Sequence, residues 1–492
     1  MNRGITRVAT FALVLLVALI LGTTYWQVWA ASSLAEKQDN AIQAVAQFTV
    51  KRGKIFGSKA KTIYATNVRR KVKGETFYFR KYPNRGLLAQ TVGYSTQTRF
   101  RTGLEASLND YLTGTNSNLN TVIRTNLDRL KGTTITGNNV FLTVNPRAQR
   151  IAQGALGTQC GAVFALEPAT GKVLVLASSP TYNLNFAEDN FDAIRRIRAN
   201  CRPASPLVNR GNGALFPPGS TFKVVTAAAA LDTGAYTAQS SFFDPGYCIE
   251  YGKQVRNAGD PESPEQFGNL TLFEALEHSV NSVFCKIGIR LGAKTILNYS
   301  KRFGFYSLPP LETPESERAI SGLYNNGKLF YPSNNSQVDP GRLAFGQERM
   351  IVTPEQMAMV AAGVANRGVV MRPYVVDRIE QPNGSLVTRT SPKVLSRAIK
   401  PQTAATLNQM MQAAVTGGTG QEAQIPGVAV AGKTGTAETG NTGINTTWFI
   451  AFAPADHPRV AIAVVLQNQT GFGGSTAAPI AKTVMEALLT KP

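Results

Sequence analysis

Residues 215–226 read LFPPGSTFKVVT and run on into four alanines, Ala227 to Ala230. Proline is tolerated just outside a helix start but not inside one, so Pro217 and Pro218, with Gly219, leave Ser220 in the first turn of a helix. Positions three apart share a helix face, which brings the Ser220 hydroxyl and the Lys223 amine towards each other. The alanine run has too little bulk for a surface helix and predicts one packed tightly inside a core. A serine hydroxyl is a poor nucleophile until a neighbour takes its proton. A lysine that is partly desolvated, or close to another cation, is neutral often enough to do so. The chemistry on offer is acyl transfer through an ester on Ser220.

Alone, a serine and a lysine three apart also fit an ordinary helix cap with an extended lysine stem. Two further stretches, Ser279-Val280-Asn281 and Lys433-Thr434-Gly435-Thr436, change the weighing. Lys433 supplies the second cation and attracts a substrate carboxylate. Ser279 relays the proton to a leaving amine, and the Asn281 amide orients Lys223 and the substrate backbone. The backbone N–H groups of Ser220 and Thr436 are the natural oxyanion donors, with Thr434 and Gly435 beside them on a strand edge. Losing one such donor typically costs about 3–4 kcal/mol of barrier.

The elements that must position these groups follow in chain order. Arg3 and Arg7 precede an uncharged stretch from Val8 to Trp29. As a helix it spans roughly 33 Å, about the thickness of the membrane hydrocarbon. Tyr25, Trp26 and Trp29 crowd its far end as an aromatic belt does, and the arginines predict a cytoplasmic N-terminus with the rest of the chain outside. Cleavage at Val28-Trp29-Ala30 is the competing expectation. Residues 1–30 are therefore expected to be a membrane anchor, 31–140 a strand-rich pedestal punctuated by glycine turns, and 141–492 the catalytic domain. In the last, a helix is expected over Ala148–Leu156, and strands over Gly161–Glu167 and Lys172–Ser178. A helix through Ala275 and Leu276 leaves Ser279 and Asn281 at its end or in the loop beyond. A helix that follows Thr353-Pro354-Glu355-Gln356-Met357 and runs to Asn366, a final helix from Ala477 to Leu489, and strands over Trp448–Ala453 and Val460–Leu466 complete an α+β fold, a five-stranded antiparallel sheet between helices.

Composition sets bounds. The chain has 492 residues and a net charge of +21, and residues 51–90 alone hold twelve Lys and Arg against the single acid Glu75. No zinc finger, RNA-binding signature or basic heptad accompanies that block, so nucleic acid is not the expected partner. A solvated basic face, or one holding polyanionic wall or lipid head groups, fits equally. Only His278 and His457 are present, which argues against a histidine triad or a zinc hydrolase. No metal or cofactor is expected. Cys160, Cys201, Cys248 and Cys285 have no metal-ligand spacing, and all pairings, or free buried thiols, stay open.

With its three motifs in this order the chain resembles a class B penicillin-binding protein, of the actinobacterial penicillin-binding protein A type. The likeness extends to Arg52-Gly53-Lys54-Ile55, Gly93-Tyr94, Gly103-Leu104-Glu105, Pro168-Ala169-Thr170-Gly171 and Thr353-Pro354-Glu355-Gln356-Met357. The resemblance implies a pedestal of the dimerisation-domain type and a D,D-transpeptidase of peptidoglycan. In such an enzyme Ser220 attacks the penultimate D-Ala carbonyl of a stem peptide, releases the terminal D-Ala and passes the acyl group to an amine on a neighbouring stem. β-Lactams acylate the same serine. The segment before residue 150 lacks the pattern of a glycosyltransferase, so the resemblance also implies a partner polymerase of the SEDS type. Glu105-Ala106-Ser107-Leu108-Asn109 mimics the deacylating motif of class A β-lactamases but precedes the nucleophile where that motif should follow it. No glutamate is thus expected to aim water at the ester, which favours a transferase over a hydrolase.

Overall fold

The structure, a computed structural model, describes residues 2–26, 48–72, 74–97, 99–260, 263–439 and 443–490. The N-terminal segment is a helix, α1 (Asn2–Thr24). It starts early enough to include Arg3 and Arg7, because backbone bonding is indifferent to where the charges stop. Among the described residues α1 is the one helix long and apolar enough to cross a membrane by length and composition. Tyr25 and Trp26 meet edge to face at its end. Trp29 and the alternative cleavage site lie outside the described residues.

Strands β1 (Ile55–Phe56), β2 (Ile63–Val72) and β3 (Glu75–Lys81) follow, and β4 (Asn139–Leu142) closes the region. Short helices at Gly103–Ser107, Asn109–Thr113 and Leu119–Leu130 lie between β3 and β4, so the pedestal expected to be strand-rich is part helical. Its centre is ionic. Glu105 is wholly buried and accepts hydrogen bonds from Arg52 (2.9 Å) and Arg80 (2.6 Å), both nearly buried themselves. Desolvation is the main reason the Arg52 guanidinium falls to about 10, against the opposing pull of Glu105. The glutamate that mimics a deacylating residue is a structural ion-pair partner far from any water-activating role.

Further on come α2 (Pro146–Leu156), β5 (Gly161–Leu166), β6 (Val173–Ser179), β7 (Val376–Glu380) and β8 (Leu386–Arg389). β4 pairs in parallel with β1 and antiparallel with β7, giving a six-stranded sheet in the order β8-β7-β4-β1-β2-β3. The pedestal strands thus share a sheet with chain that returns from beyond residue 370.

The second large sheet has the order β9-β10-β11-β5-β6, antiparallel throughout, with β9 (Ala431–Glu438), β10 (Asn445–Ala453) and β11 (Val460–Gln469). Apart from the edge strand β9, its strands carry apolar runs on both faces, as burial between two helical layers requires. Val163, Ala165, Phe449, Ile462 and Val464 face α2 and the C-terminal helix Gly473–Leu489. The alternate residues Phe164, Trp448, Ile450, Ala463 and Val465 face the core that contains the alanine run 227–230. This is the five-stranded sheet between helices that the spacing of the late apolar runs predicts.

Candidate active site

Ser220 sits in a 3-10 turn, Gly219–Phe222, that leads directly into α3 (Lys223–Asp232). The turn is pressed against β9 through glycines. Gly219 has φ +52, and a Cβ there would come within 2.6 Å of the Thr436 carbonyl oxygen. A Cβ on Gly435 would lie 2.8 Å from the Thr221 methyl and 2.9 Å from the Pro218 carbonyl. Only glycine permits backbones this close, and the approach sets Ser220 beside the third motif. The Trp448 indole on β10 fixes the same turn by donating to the Pro217 carbonyl at 2.8 Å. Behind it Ala227, Ala228, Ala229 and Ala230 are wholly buried, so α3 is the tightly packed core helix that its lack of bulk predicts.

The second motif joins two helices. α4 (Leu272–Glu277) opens with a capping box between Thr271 and Glu274 and ends at His278. Ser279 then takes a left-handed backbone, φ +63, uncommon for a residue with a side chain and a form of strain found at functional sites. Asn281 starts α5 (Asn281–Arg302), where the sequence placed it at a helix end or in a loop. Val280, the residue before, offers no side-chain cap, so no local signal marks this helix start.

These motifs meet at Lys223, which has no solvent exposure. Its Nζ lies 2.5 Å from the Ser279 carbonyl oxygen, 3.2 Å from Ser279 Oγ and 2.7 Å from Asn281 Oδ1. The Phe284 ring lies against it, 5.4 Å from Nζ to the centroid. All three hydrogen-bonding contacts are with the second motif rather than with Ser220. Burial, and after it repulsion from Lys433, holds the Lys223 amine well below the usual lysine range. Lys433 is equally buried, its Nζ donating to the Thr434 carbonyl at 3.1 Å, and burial pushes it down to about 7. Thr434 and Thr419 share a hydroxyl hydrogen bond of 2.6 Å, and Thr436 Oγ1 accepts from the Gly473 N–H at 3.3 Å. Among the described residues β9 pairs only with β10, so the other edge of the strand carrying residues 433–436 borders the Ser220 turn and has no sheet partner there.

The second motif has its own support. Asp244 accepts from Asn257 Nδ2 (2.7 Å) and from Ser282 Oγ, while Asn257 Oδ1 accepts from the Ser282 N–H (2.9 Å). Asn281 Nδ2 donates to the Arg256 carbonyl at 2.9 Å. Arg256 lies on a hairpin of Tyr247–Glu250 and Lys253–Arg256, tied to α5 by the disulfide Cys248–Cys285. The other cysteines pair as Cys160–Cys201, so both disulfides form and the described residues contain no free thiol. Sequence reasoning missed Arg256, Asp244, Thr419 and Trp448, whose contacts join distant segments and leave no local pattern. Of the histidines, His457 is exposed beside Asp456 and His278 stacks on Phe267 at 5.3 Å. Among the described residues no cluster of His, Cys, Asp and Glu is suited to a metal.

A buried pair of lysines, one braced by a serine and an asparagine, beside a serine on a tight turn at a sheet edge, is the arrangement expected of a serine acyltransferase. The family model described as the penicillin binding protein transpeptidase domain matches residues 161–486. The penicillin binding protein A dimerisation domain matches residues 52–140. The chain therefore belongs to the penicillin-binding proteins, as a class B D,D-transpeptidase of the penicillin-binding protein A type. It is 35% identical over 99% of both chains to the peptidoglycan D,D-transpeptidase PbpA of Mycobacterium tuberculosis. To PbpA of Mycolicibacterium smegmatis it is 34% identical, again over 99% of each. Among solved structures, penicillin-binding protein A from M. tuberculosis as a ceftriaxone acyl-enzyme complex aligns with a TM-score of 0.80 at 32% identity, covering 91% of this chain and 100% of that one. Its imipenem acyl-enzyme complex aligns at 0.79 and 34%, covering 90% and 100%.

Proposed function

We propose that this chain cross-links peptidoglycan by moving the acyl group of one stem peptide onto an amine of another through an ester on Ser220. The observation that carries this reading is the state of Lys223, buried, held by Ser279 and Asn281, and three residues from the serine. A neutral amine has two hydrogens and one lone pair. The hydrogens suit the Ser279 carbonyl and Asn281 Oδ1, and the lone pair suits a proton arriving from Ser220 or from the Ser279 hydroxyl.

In the first half-reaction Lys223 takes the Ser220 proton as Oγ attacks the penultimate D-Ala carbonyl. The Ser220 and Thr436 N–H groups receive the developing oxyanion, and Lys433, flanked by Thr434 and Gly435, holds the terminal carboxylate. Ser279 hands the proton to the departing D-Ala. The acceptor amine then reverses these roles. A β-lactam follows the first half and stays as an ester, as in the acyl-enzyme complexes of the M. tuberculosis relative. We also place α1 across the membrane once, with residues 31–140 as a pedestal and 141–492 as the catalytic domain outside the cytoplasm. The polymer that this domain cross-links comes from a separate polymerase of the SEDS type. The length and apolarity of α1 support the first of these assignments. The family resemblance supports the second.

The test is covalent labelling. A fluorescent penicillin labels the wild-type chain, and Ser220→Ala abolishes the label. Retained labelling in that variant would refute Ser220 as the nucleophile. A stem-peptide donor with an added D-amino acid separates transferase from hydrolase, since exchanged peptide accumulates in the first case and only shortened peptide in the second.

A further inference from the structure

Beside the catalytic groups lies a cavity of about 400 Å³ lined by Glu265, Gln266, Phe267, His278, Gly417, Gly418 and Thr419. Two of these residues tie it to the motifs. His278 is the neighbour of Ser279 in the chain, and Thr419 bonds to Thr434 through their hydroxyls at 2.6 Å. The cavity therefore opens between the second and third motifs.

Its walls are built rather than incidental. Phe267 and His278 stack with ring planes 19° apart. The Phe267 N–H donates to Asp244 at 3.0 Å, the carboxylate that also holds Ser282 and Asn257. Across from them, a Cβ on Gly417 would come within 2.8 Å of Glu277 Oε1, and one on Gly418 within 2.3 Å of the Glu277 carbonyl. The glycine wall thus packs directly on Glu277, which lies one residue before His278.

The charge of this lining runs against the rest of the molecule. The chain as a whole is at +21, yet the cavity lining, among the described residues, includes Glu265 and no lysine or arginine, with Glu277 behind the glycine wall. A donor stem ends in a carboxylate, which such a lining repels and Lys433 attracts. The second substrate of a transpeptidase is an amine, protonated at neutral pH, carried on an aliphatic side chain or short bridge.

We propose that this cavity is the acceptor subsite, in which Glu265, with the charge of Glu277 behind the glycine wall, recruits the primary ammonium group of a neighbouring stem while the Phe267–His278 stack covers its aliphatic part. The inference rests on the transpeptidase reading above. In the step it serves, the ammonium sheds one proton to water at the cavity mouth, where Glu265 is exposed. The amine nitrogen bonds to the acyl carbon, the bond from that carbon to Ser220 Oγ breaks, and the second amine proton passes to Oγ and restores the hydroxyl.

The experiment uses the full chain with a D-Ala-D-Ala-ended stem peptide and two acceptors, D-alaninamide, which is cationic at neutral pH, and hydroxylamine, which is neutral. Glu265→Gln is expected to raise the half-saturating concentration of D-alaninamide by roughly 1.4- to five-fold, the range for one exposed charge, and Glu265→Lys to raise it further. Transfer to hydroxylamine and labelling by a fluorescent penicillin stay at wild-type rates. If both acceptors weaken equally, or neither changes, the acceptor assignment is overturned while the transpeptidase reading stands. A wild-type chain that takes no penicillin and forms no exchanged product overturns both.

Discussion

Replacing Lys433 by methionine keeps the unbranched stem, one atom shorter, and removes the charge, and the buried lysine pair makes the consequence calculable. Burial pushes Lys433 down to about 7, so close to neutral pH the free enzyme holds it in both charged and neutral forms. A substrate carboxylate arriving beside it favours the charged form. That cation in turn lowers the affinity of Lys223 for its proton, since Lys433 is the second cause, after burial, of the depression at Lys223. Binding the carboxylate and readying the base are therefore linked. Lys433→Met loses a charge-assisted contact to the carboxylate worth about 2–3 kcal/mol, or roughly 30- to 150-fold in the second-order acylation constant. It also moves the acid limb of the pH profile. Acylation is present above the Lys223 pKa and lost as pH falls through it, and removing the neighbouring cation shifts that limb to higher pH, while burial keeps it well below that of a free lysine. The assay is labelling by a fluorescent penicillin from acid to alkaline pH, beside the same probe with its carboxylate esterified. The ester should show the shifted limb and little of the 30- to 150-fold loss. A limb that stays put or moves to lower pH, or equal losses for both probes, would refute the coupling.

Two further substitutions probe the scaffold. Glu105→Ala strands two buried arginines, Arg52 and Arg80, and should cost about 3–5 kcal/mol in thermal unfolding with penicillin labelling intact at low temperature; an unchanged melting temperature would contradict the ion-pair role. Glu355 is wholly buried, both carboxylate oxygens lack a partner among the described residues, and burial raises it to about 8. Above its ordinary pKa of 4.5 the unfolded chain releases this proton and the native chain keeps it. Stability therefore falls as pH rises from there towards about 8, by about 1.4 kcal/mol per pH unit. Glu355→Gln should thus stabilise the protein more at pH 7 than at pH 5, by about 2–3 kcal/mol, and equal melting shifts at the two pH values would exclude this.

What was legible in the sequence was local. Two prolines and a glycine before Ser220 announce the turn, the alanine run announces a buried helix, and the compact apolar runs at Trp448–Ala453 and Val460–Leu466 announce central strands. The groups around Lys223 were legible because each motif is short and chemically distinct. What stayed hidden depends on encounters between remote segments. Nothing near Val376 signals that it pairs with Leu142, and nothing near Glu105 signals an arginine more than fifty residues earlier. Four cysteines allow three complete pairings, and only the packing of the Tyr247–Arg256 hairpin on α5 selects Cys248 for Cys285. Asn281 was placed in the right neighbourhood but not at a helix start, since the residue before it carries no capping group.

The seam between β4 and β7 makes the pedestal and the C-terminal half mechanically continuous. Parting them would break a row of interstrand N–H···O=C hydrogen bonds and wet Val140, Leu142, Val376 and Ile379, all now shielded from solvent. The sheet that holds the basic hairpin β2–β3 also holds β7 and β8, and the segment that follows β8 leads along the helix Pro401–Thr416 to Thr419, the hydroxyl that touches Thr434. One hydrogen-bonded sheet and one run of chain therefore join the outer rim of the pedestal to the rim of the reaction cleft.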